Sequence, residues 1–191
     1  MGKIICLYGL PACGKTTQAE LIKKDFNFIH FGMGDRLRAE IASGSNLGKE
    51  IKKFVDQGTL ITDDLMGQVI KNVGDQIKKE GIIFDGFPRM ISQAKMLESI
   101  TLELNQEIDK FFYLKISPET ALKRINLRAE ETGRSDDKDE LAVKNRLGVF
   151  NQESSILIDY YSKNGKLKEI NGELSIEEVY RIIRGEIENL N

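Results

Sequence analysis

Eight consecutive residues, Gly9-Leu10-Pro11-Ala12-Cys13-Gly14-Lys15-Thr16, carry the densest chemical pattern in the chain, directly after an apolar run at residues 4–7. Gly-x-x-x-x-Gly-Lys-Thr between a strand and a helix builds an anion cradle. Its glycines let successive backbone N–H groups turn inward, the helix that follows adds its positive N-terminal dipole, and the lysine supplies a point charge. Such a loop holds the phosphates of a nucleoside triphosphate, and the Thr16 hydroxyl can reach Mg2+. Thr17-Gln18-Ala19-Glu20-Leu21 continues as the helix the cradle needs.

About 70 residues further on, the apolar run Ile82-Ile83-Phe84 ends in Asp85-Gly86-Phe87-Pro88-Arg89. A carboxylate at the end of a buried strand beside a phosphate loop is placed to hold the water shell of Mg2+. Six arginines then exceed what one triphosphate needs: Arg38, Arg89, Arg124, Arg128, Arg134 and Arg146. Arg124 and Arg128 lie four apart on one helix face, and the others come from separate segments. Bringing two polyanions together requires charge neutralisation with bidentate geometry, which arginine supplies better than lysine. Two phosphate-bearing ligands facing each other are therefore expected.

The elements that must position these groups alternate. Short β-rich runs at residues 4–7, 27–31, 82–85, 111–116 and 167–170 are each followed by a helix-compatible stretch, which predicts a parallel sheet wrapped by helices. Ser117-Pro118-Glu119 reads as an N-cap, a first-turn proline and a first-turn acid, and Ser175-Ile176-Glu177-Glu178 as a capping box. Residues 35–79 show three helical segments without a strand, broken at Ser43-Gly44-Ser45 and Gln57-Gly58-Thr59, and predict a helical insertion beside the sheet. Residues 130–140 are polar and glycine-marked, the pattern of a short loop between two helices.

At 191 residues the chain fits one domain, and a net charge of −2 excludes the positive field that duplex DNA or an anionic membrane surface would require. Cys6 and Cys13 have no metal-ligand or disulfide-framework spacing, so a reducing compartment and two thiols are expected. No apolar run approaches membrane-spanning length, no signal-peptide region precedes the first strand, and Cys6 stands where a myristoylation signal wants Ser or Thr. A soluble cytoplasmic monomer is the expectation. His30 and the pair Tyr160 and Tyr161 read as structural groups, not catalytic ones.

Six motifs fall in one order: the phosphate loop with Thr17-Gln18-Ala19, then Gly34-Asp35-Arg36-Leu37-Arg38, Ser43-Gly44-Ser45-Asn46-Leu47-Gly48, and residues 58–62. Asp85-Gly86-Phe87-Pro88-Arg89 with Gln93, and Gly133-Arg134-Ser135-Asp136-Asp137, complete the set. In this order they resemble the nucleoside monophosphate kinases of the adenylate kinase family, of the short-lid type that lacks zinc-binding cysteines. The resemblance implies an α/β P-loop kinase, one domain over residues 1–191, with a five-stranded parallel sheet, a monophosphate-binding insertion at 32–61 and a lid at 130–140. It implies transfer of the γ-phosphoryl group from MgATP to AMP.

By that resemblance Ala12, Cys13, Gly14, Lys15, Thr16, Thr17, Arg124, Arg128 and Ile170 bind ATP. Met33, Arg38, Thr59, Leu60, Ile61, Gly86, Phe87, Pro88, Arg89 and Gln93 bind AMP, with Arg134 and Arg146 joining them. Lys15, Arg89, Arg128, Arg134 and Arg146 act in catalysis, and Mg2+ falls to Asp85, with Thr16 as a second contact suggested by the loop pattern itself. Gln93, four residues after Arg89, stands where the adenylate-specific branch contacts adenine. Three departures matter. Met33 replaces the usual threonine, leaving a UMP, CMP or broad-acceptor kinase as the competing reading; Ala12 and Thr16 replace common loop glycines; and Arg134 and Arg146 are one residue further apart than is typical. A low-turnover nucleotide-binding regulator is the third reading.

Overall fold

The structure is a computed structural model that describes residues 2–71, 73–77, 80–133 and 135–190. Five parallel strands, β1 Ile4–Tyr8, β2 Ile29–Gly32, β3 Ile82–Asp85, β4 Lys110–Lys115 and β5 Leu167–Asn171, form one sheet in the order β2-β3-β1-β4-β5. All residues of β1 and β3 are buried, as central strands covered on both faces must be. Successive β1 side chains then alternate between two cores. Ile4, Cys6 and Tyr8 face one, and Ile5 and Leu7 face the other.

The first core is closed by α2 Met33–Ala42, α3 Asn46–Gln57, α4 Asp63–Ile70, α5 Val73–Ile77, α6 Ile91–Glu103 and the long α9 Glu140–Lys163. Tyr161 is its largest fully buried side chain and stacks on Phe111 with ring centroids 4.0 Å apart. The second core is closed by α1 Lys15–Phe26, α7 Pro118–Thr132 and α10 Ile176–Glu188. Each fully buried large apolar side chain contributes about 1.5–3 kcal/mol relative to exposure, so these two layers hold the sheet between them.

The expected caps form. Ser117 Oγ accepts from the Thr120 N–H at 3.1 Å, and Ser175 with Glu178 closes a reciprocal capping box. Other expectations shift. The second strand begins at Ile29 instead of residue 27, because Asn27 takes the left-handed C-cap of α1 at φ 57° and cannot also be extended. The third helical segment of the insertion is two short helices, α4 and α5. The polar segment at 130–140 is shorter than its sequence suggests, since α7 runs to Thr132, Gly133 caps it, and Ser135–Lys138 forms one further helical turn, α8.

Candidate active site

The registers of β1 with β3 and of β3 with β2 place Leu7, Asp85 and Gly32 side by side at the carboxyl edge of the sheet. There a single cleft of ≈ 570 Å3 opens, bounded by the phosphate loop, the first turn of α2, the end of α3, and α7 with α9. Ligands of open parallel sheets bind at this edge. Gly9 has φ 147°, and a Cβ there would lie 2.5 Å from the Leu114 carbonyl oxygen, so only glycine lets β1 turn into the loop. Ala12 holds φ 60°, a left-handed conformation that costs a side-chain-bearing residue about 1–2 kcal/mol.

Lys15 folds back over this loop. Its ammonium donates to the carbonyls of Gly9 and Leu10 at 2.9 Å each and to Cys13 Sγ at 3.4 Å. Thr16 Oγ1 donates to Asp85 Oδ2 at 2.6 Å, and His30 Nε2 lies 3.3 Å from the same oxygen. Burial works against the Asp85 carboxylate, but the hydrogen bonds from His30 and Thr16 and the charge of Lys15 prevail and hold its pKa below the usual range. His30 Nδ1 meets Glu20 at 2.7 Å, so the histidine braces Asp85 against α1, the structural role expected of it. Among the described residues no three His, Cys, Asp or Glu side chains converge to hold a metal. One carboxylate and one hydroxyl fit Mg2+, which keeps several waters and takes other oxygens from substrate phosphates.

Opposite the loop, α7 and α9 present arginines tied to α8. Arg128 grips Asp137 through Nε at 2.7 Å and Nη2 at 2.9 Å, and Arg146 Nη2 reaches the same carboxylate at 2.7 Å. Arg146 also bonds Asp136 through Nη1 at 2.8 Å. The Asp137 side chain is fully buried, and although burial opposes its charge, the two guanidiniums hold its pKa down. Asp139 caps α9 by accepting from Leu141 and Ala142, and Arg146 lines the cleft. Arg124 lines it too, donating to the Gly172 carbonyl at 3.1 Å. Arg134 lies outside the described residues.

The wall formed by α2, the end of α3 and the Gly86 turn completes the cleft. Met33 is buried at the start of α2, and Arg38, one turn on, pairs with Asp35. Thr59, Leu60 and Ile61 form a rim after α3. This rim is fastened to α9, because Asn145 Nδ2 donates to the Gln57 carbonyl at 2.8 Å and Gly58 packs directly on the backbone of Ala142. Arg89 Nε donates to the Gly86 carbonyl at 2.7 Å, and the Arg89 N–H donates to Gln93 Oε1 at 2.8 Å. Gln93 is fully buried, lines the cleft, and its Nε2 has no partner among the described residues.

Most sequence-chosen residues thus surround one cleft, including Ala12, Gly14, Lys15, Thr16, Thr17, Gly86 and Asp85. Four do not line it: Cys13 and Ile170 are buried in the second core, and Phe87 and Pro88 are buried behind Gly86. Tyr160 and Tyr161 belong to the first core, as expected. Sequence reasoning missed Tyr8, Leu127, Glu131, Val149 and Phe150, all of which line the cleft. Helical spacing could have found four of them. Leu127 and Glu131 follow Arg124 by three and seven, and Val149 and Phe150 follow Arg146 by three and four.

Similarity to known proteins agrees with this geometry. The sequence profile of the adenylate kinase family matches residues 7–166. An adenylate kinase of Bacteroides fragilis is 40% identical over 187 residues, 97% of this chain and 98% of the relative. One of Phocaeicola vulgatus is 38% identical over 187 residues, 97% and 98% of the two chains, and one of Leptospira biflexa is 40% identical over 182, 95% and 97%. With a phosphate loop and a facing set of arginines around one cleft on a β2-β3-β1-β4-β5 sheet, and with such relatives along nearly its whole length, the chain belongs to the adenylate kinase family.

Proposed function

We propose that this protein is an ATP:AMP phosphotransferase, moving the γ-phosphoryl group of MgATP to AMP reversibly to give two ADP. The observation that carries the choice of acceptor is the Gln93 amide. Its oxygen is taken by the Arg89 backbone, so only its NH2 group remains to address a base. An unpartnered buried donor costs about 1–3 kcal/mol until an acceptor meets it, and a ring nitrogen of adenine is such an acceptor.

Catalysis in this reading is positioning and electrostatics with no covalent intermediate. The phosphate loop from Ala12 to Thr17 cradles the donor phosphates, and Lys15 exchanges its loop carbonyls for phosphate oxygens. Arg124 covers the donor base, while Arg38 and Arg89 hold the monophosphate in line. Arg128, Arg134 and Arg146 surround the transferring group, where charge accumulates. Asp85 and Thr16 would hold Mg2+, which supplies charge neutralisation on the donor phosphates. Lid and rim exclude the water that would otherwise accept the phosphoryl group. A cytoplasmic monomer without nucleic-acid or membrane partners completes the proposal, supported by two buried thiols and by the absence, among the described residues, of a helix long and apolar enough to cross a membrane.

Met33 favours one competing reading, a kinase of wider acceptor range, because a flexible thioether makes no directional bond to a base. A coupled assay offering AMP, CMP, UMP, GMP and dTMP with MgATP separates the two. AMP is expected to be preferred by at least about tenfold in kcat/KM, equivalent to about 1.4 kcal/mol. Preference for a pyrimidine nucleotide would overturn the proposal.

A further inference from the structure

Tyr8 is the last residue of β1, one position before the phosphate loop, and its role in the cleft is not explained by packing alone. The ring packs well: it stacks on Phe150 at 5.2 Å and contacts Phe111 and Tyr113 at 5.3 and 5.9 Å. Phenylalanine would satisfy every one of those contacts. The hydroxyl is what remains over. It is buried, and it has no hydrogen-bond partner among the described residues. A buried phenol normally finds a partner, and leaving one unpaired costs about 1–3 kcal/mol. Gln93 Nε2 and Arg146 Nε on the cleft wall also lack partners among the described residues, and the first is the donor assigned above to the acceptor base.

Two observations say which ligand atom the hydroxyl meets. Tyr8 belongs to the first core, together with Met33, Ile61 and Phe87, whereas the phosphate loop's own Leu10 and Cys13 belong to the second. Its ring therefore packs on the sheet face that also carries Met33 and Ile61, and it shares the cleft wall with them and with Arg89. Arg89, also on the cleft wall, acts on it electrostatically: burial drives the phenol pKa up, Tyr113 adds to the rise, and the Arg89 charge opposes it. At neutral pH the group is thus a neutral O–H donor. Arginine offers no lone pair, so the guanidinium cannot take the phenol's proton. An anionic oxygen would satisfy both donors at once. Among the described residues the Arg89 guanidinium donates only to the Gly86 carbonyl, which leaves its other N–H groups for that anion.

We propose that Tyr8 is a further substrate-binding residue, whose hydroxyl donates to the phosphate of the acceptor nucleotide alongside Arg89. This rests on the acceptor reading above and extends it to a residue chosen by neither motif nor charge.

The test is Tyr8→Phe in the full chain, measured by calorimetric titration with AMP, with adenosine and with MgATP, and by thermal unfolding. AMP affinity should fall about tenfold, while adenosine and MgATP affinities stay within about twofold and the melting temperature holds or rises. The ring's packing survives, so a folding defect is not expected. AMP affinity within twofold of the parent would overturn the proposal, leaving the hydroxyl a bare or water-filled defect. An equal loss for adenosine and AMP would overturn the phosphate assignment. A parent protein that does not bind AMP overturns the acceptor reading itself, and the Tyr8 proposal with it, so the two failures are distinguishable.

Discussion

Gly58→Ala tests whether the acceptor rim must stay docked on α9. A Cβ at this position would sit 2.2 Å from the Ala142 carbonyl oxygen, 2.9 Å from its carbonyl carbon and 3.0 Å from its Cα. All three atoms are backbone, so no rotamer change relieves the contact. Gly58 also holds φ +68°, where a side chain costs about 1–2 kcal/mol. The variant escapes the clash by lifting the rim, which breaks the Asn145 to Gln57 hydrogen bond, a loss of about 1 kcal/mol. Global stability should therefore fall by about 2–3 kcal/mol, or about 4–12 °C in melting temperature at about 2–4 °C per kcal/mol for a chain of this size. Closing the rim over AMP must then overcome the clash, at about 1–3 kcal/mol, so AMP affinity falls by at least about fivefold. MgATP affinity should stay within about twofold, because the loop does not touch the rim contact. Gly44→Ala is the control. Gly44 has φ +70° with nothing within 4 Å of a Cβ, so it carries the backbone strain without the clash. Calorimetric titration of both variants gives the answer: if AMP affinity drops no more in Gly58→Ala than in Gly44→Ala, docking of the rim on α9 plays no part in acceptor binding.

Two further changes probe the lid and the loop. Asp137→Asn removes the charge that binds Arg128 and Arg146, and should cost about 3 kcal/mol at pH 7 by denaturant unfolding. Because the folded pKa of Asp137 is depressed, its contribution is complete above the unfolded value of about 3.9 and disappears as pH falls through the folded value. The gap between parent and variant should therefore close below about pH 4, and a gap that is constant across that range would contradict the ion-pair account. Ala12→Gly releases the left-handed strain at φ 60°, a gain of about 1–2 kcal/mol reduced by the extra freedom glycine gives the unfolded chain, about 0.4–1 kcal/mol. A net gain of up to about 1.6 kcal/mol is expected from urea unfolding, and a clear loss would show that the alanine methyl packs productively.

What could be read residue by residue was chemistry confined to short stretches. The phosphate loop, the capping residues at Ser117 and Ser175, and the strand ending in Asp85 all depend on neighbours within a few positions, where glycine conformations, cap hydrogen bonds and apolar runs leave a direct trace. The surplus arginines added the two-ligand reading, and the motif order most of the cleft wall. Boundaries were less legible where one residue serves two elements, as Asn27 shows, and where a helix overruns a polar stretch, as α7 does at Thr132.

Local pattern and charge thus established a phosphate-binding α/β chain with surplus arginines, and the motif order pointed to a second nucleotide. Tertiary structure alone decided how those groups are held: Asp137 gripping two arginines from different helices, Gln93 left with one unpartnered amide nitrogen, Tyr8 buried in the first core with its hydroxyl unpartnered among the described residues, and Asn145 fastened to Gln57 across 88 residues. None of these leaves a mark in neighbouring residues. Each follows from which strand faces and helices the sheet order brings together, and a side chain's partner across such a distance is set by packing, not by spacing along the chain.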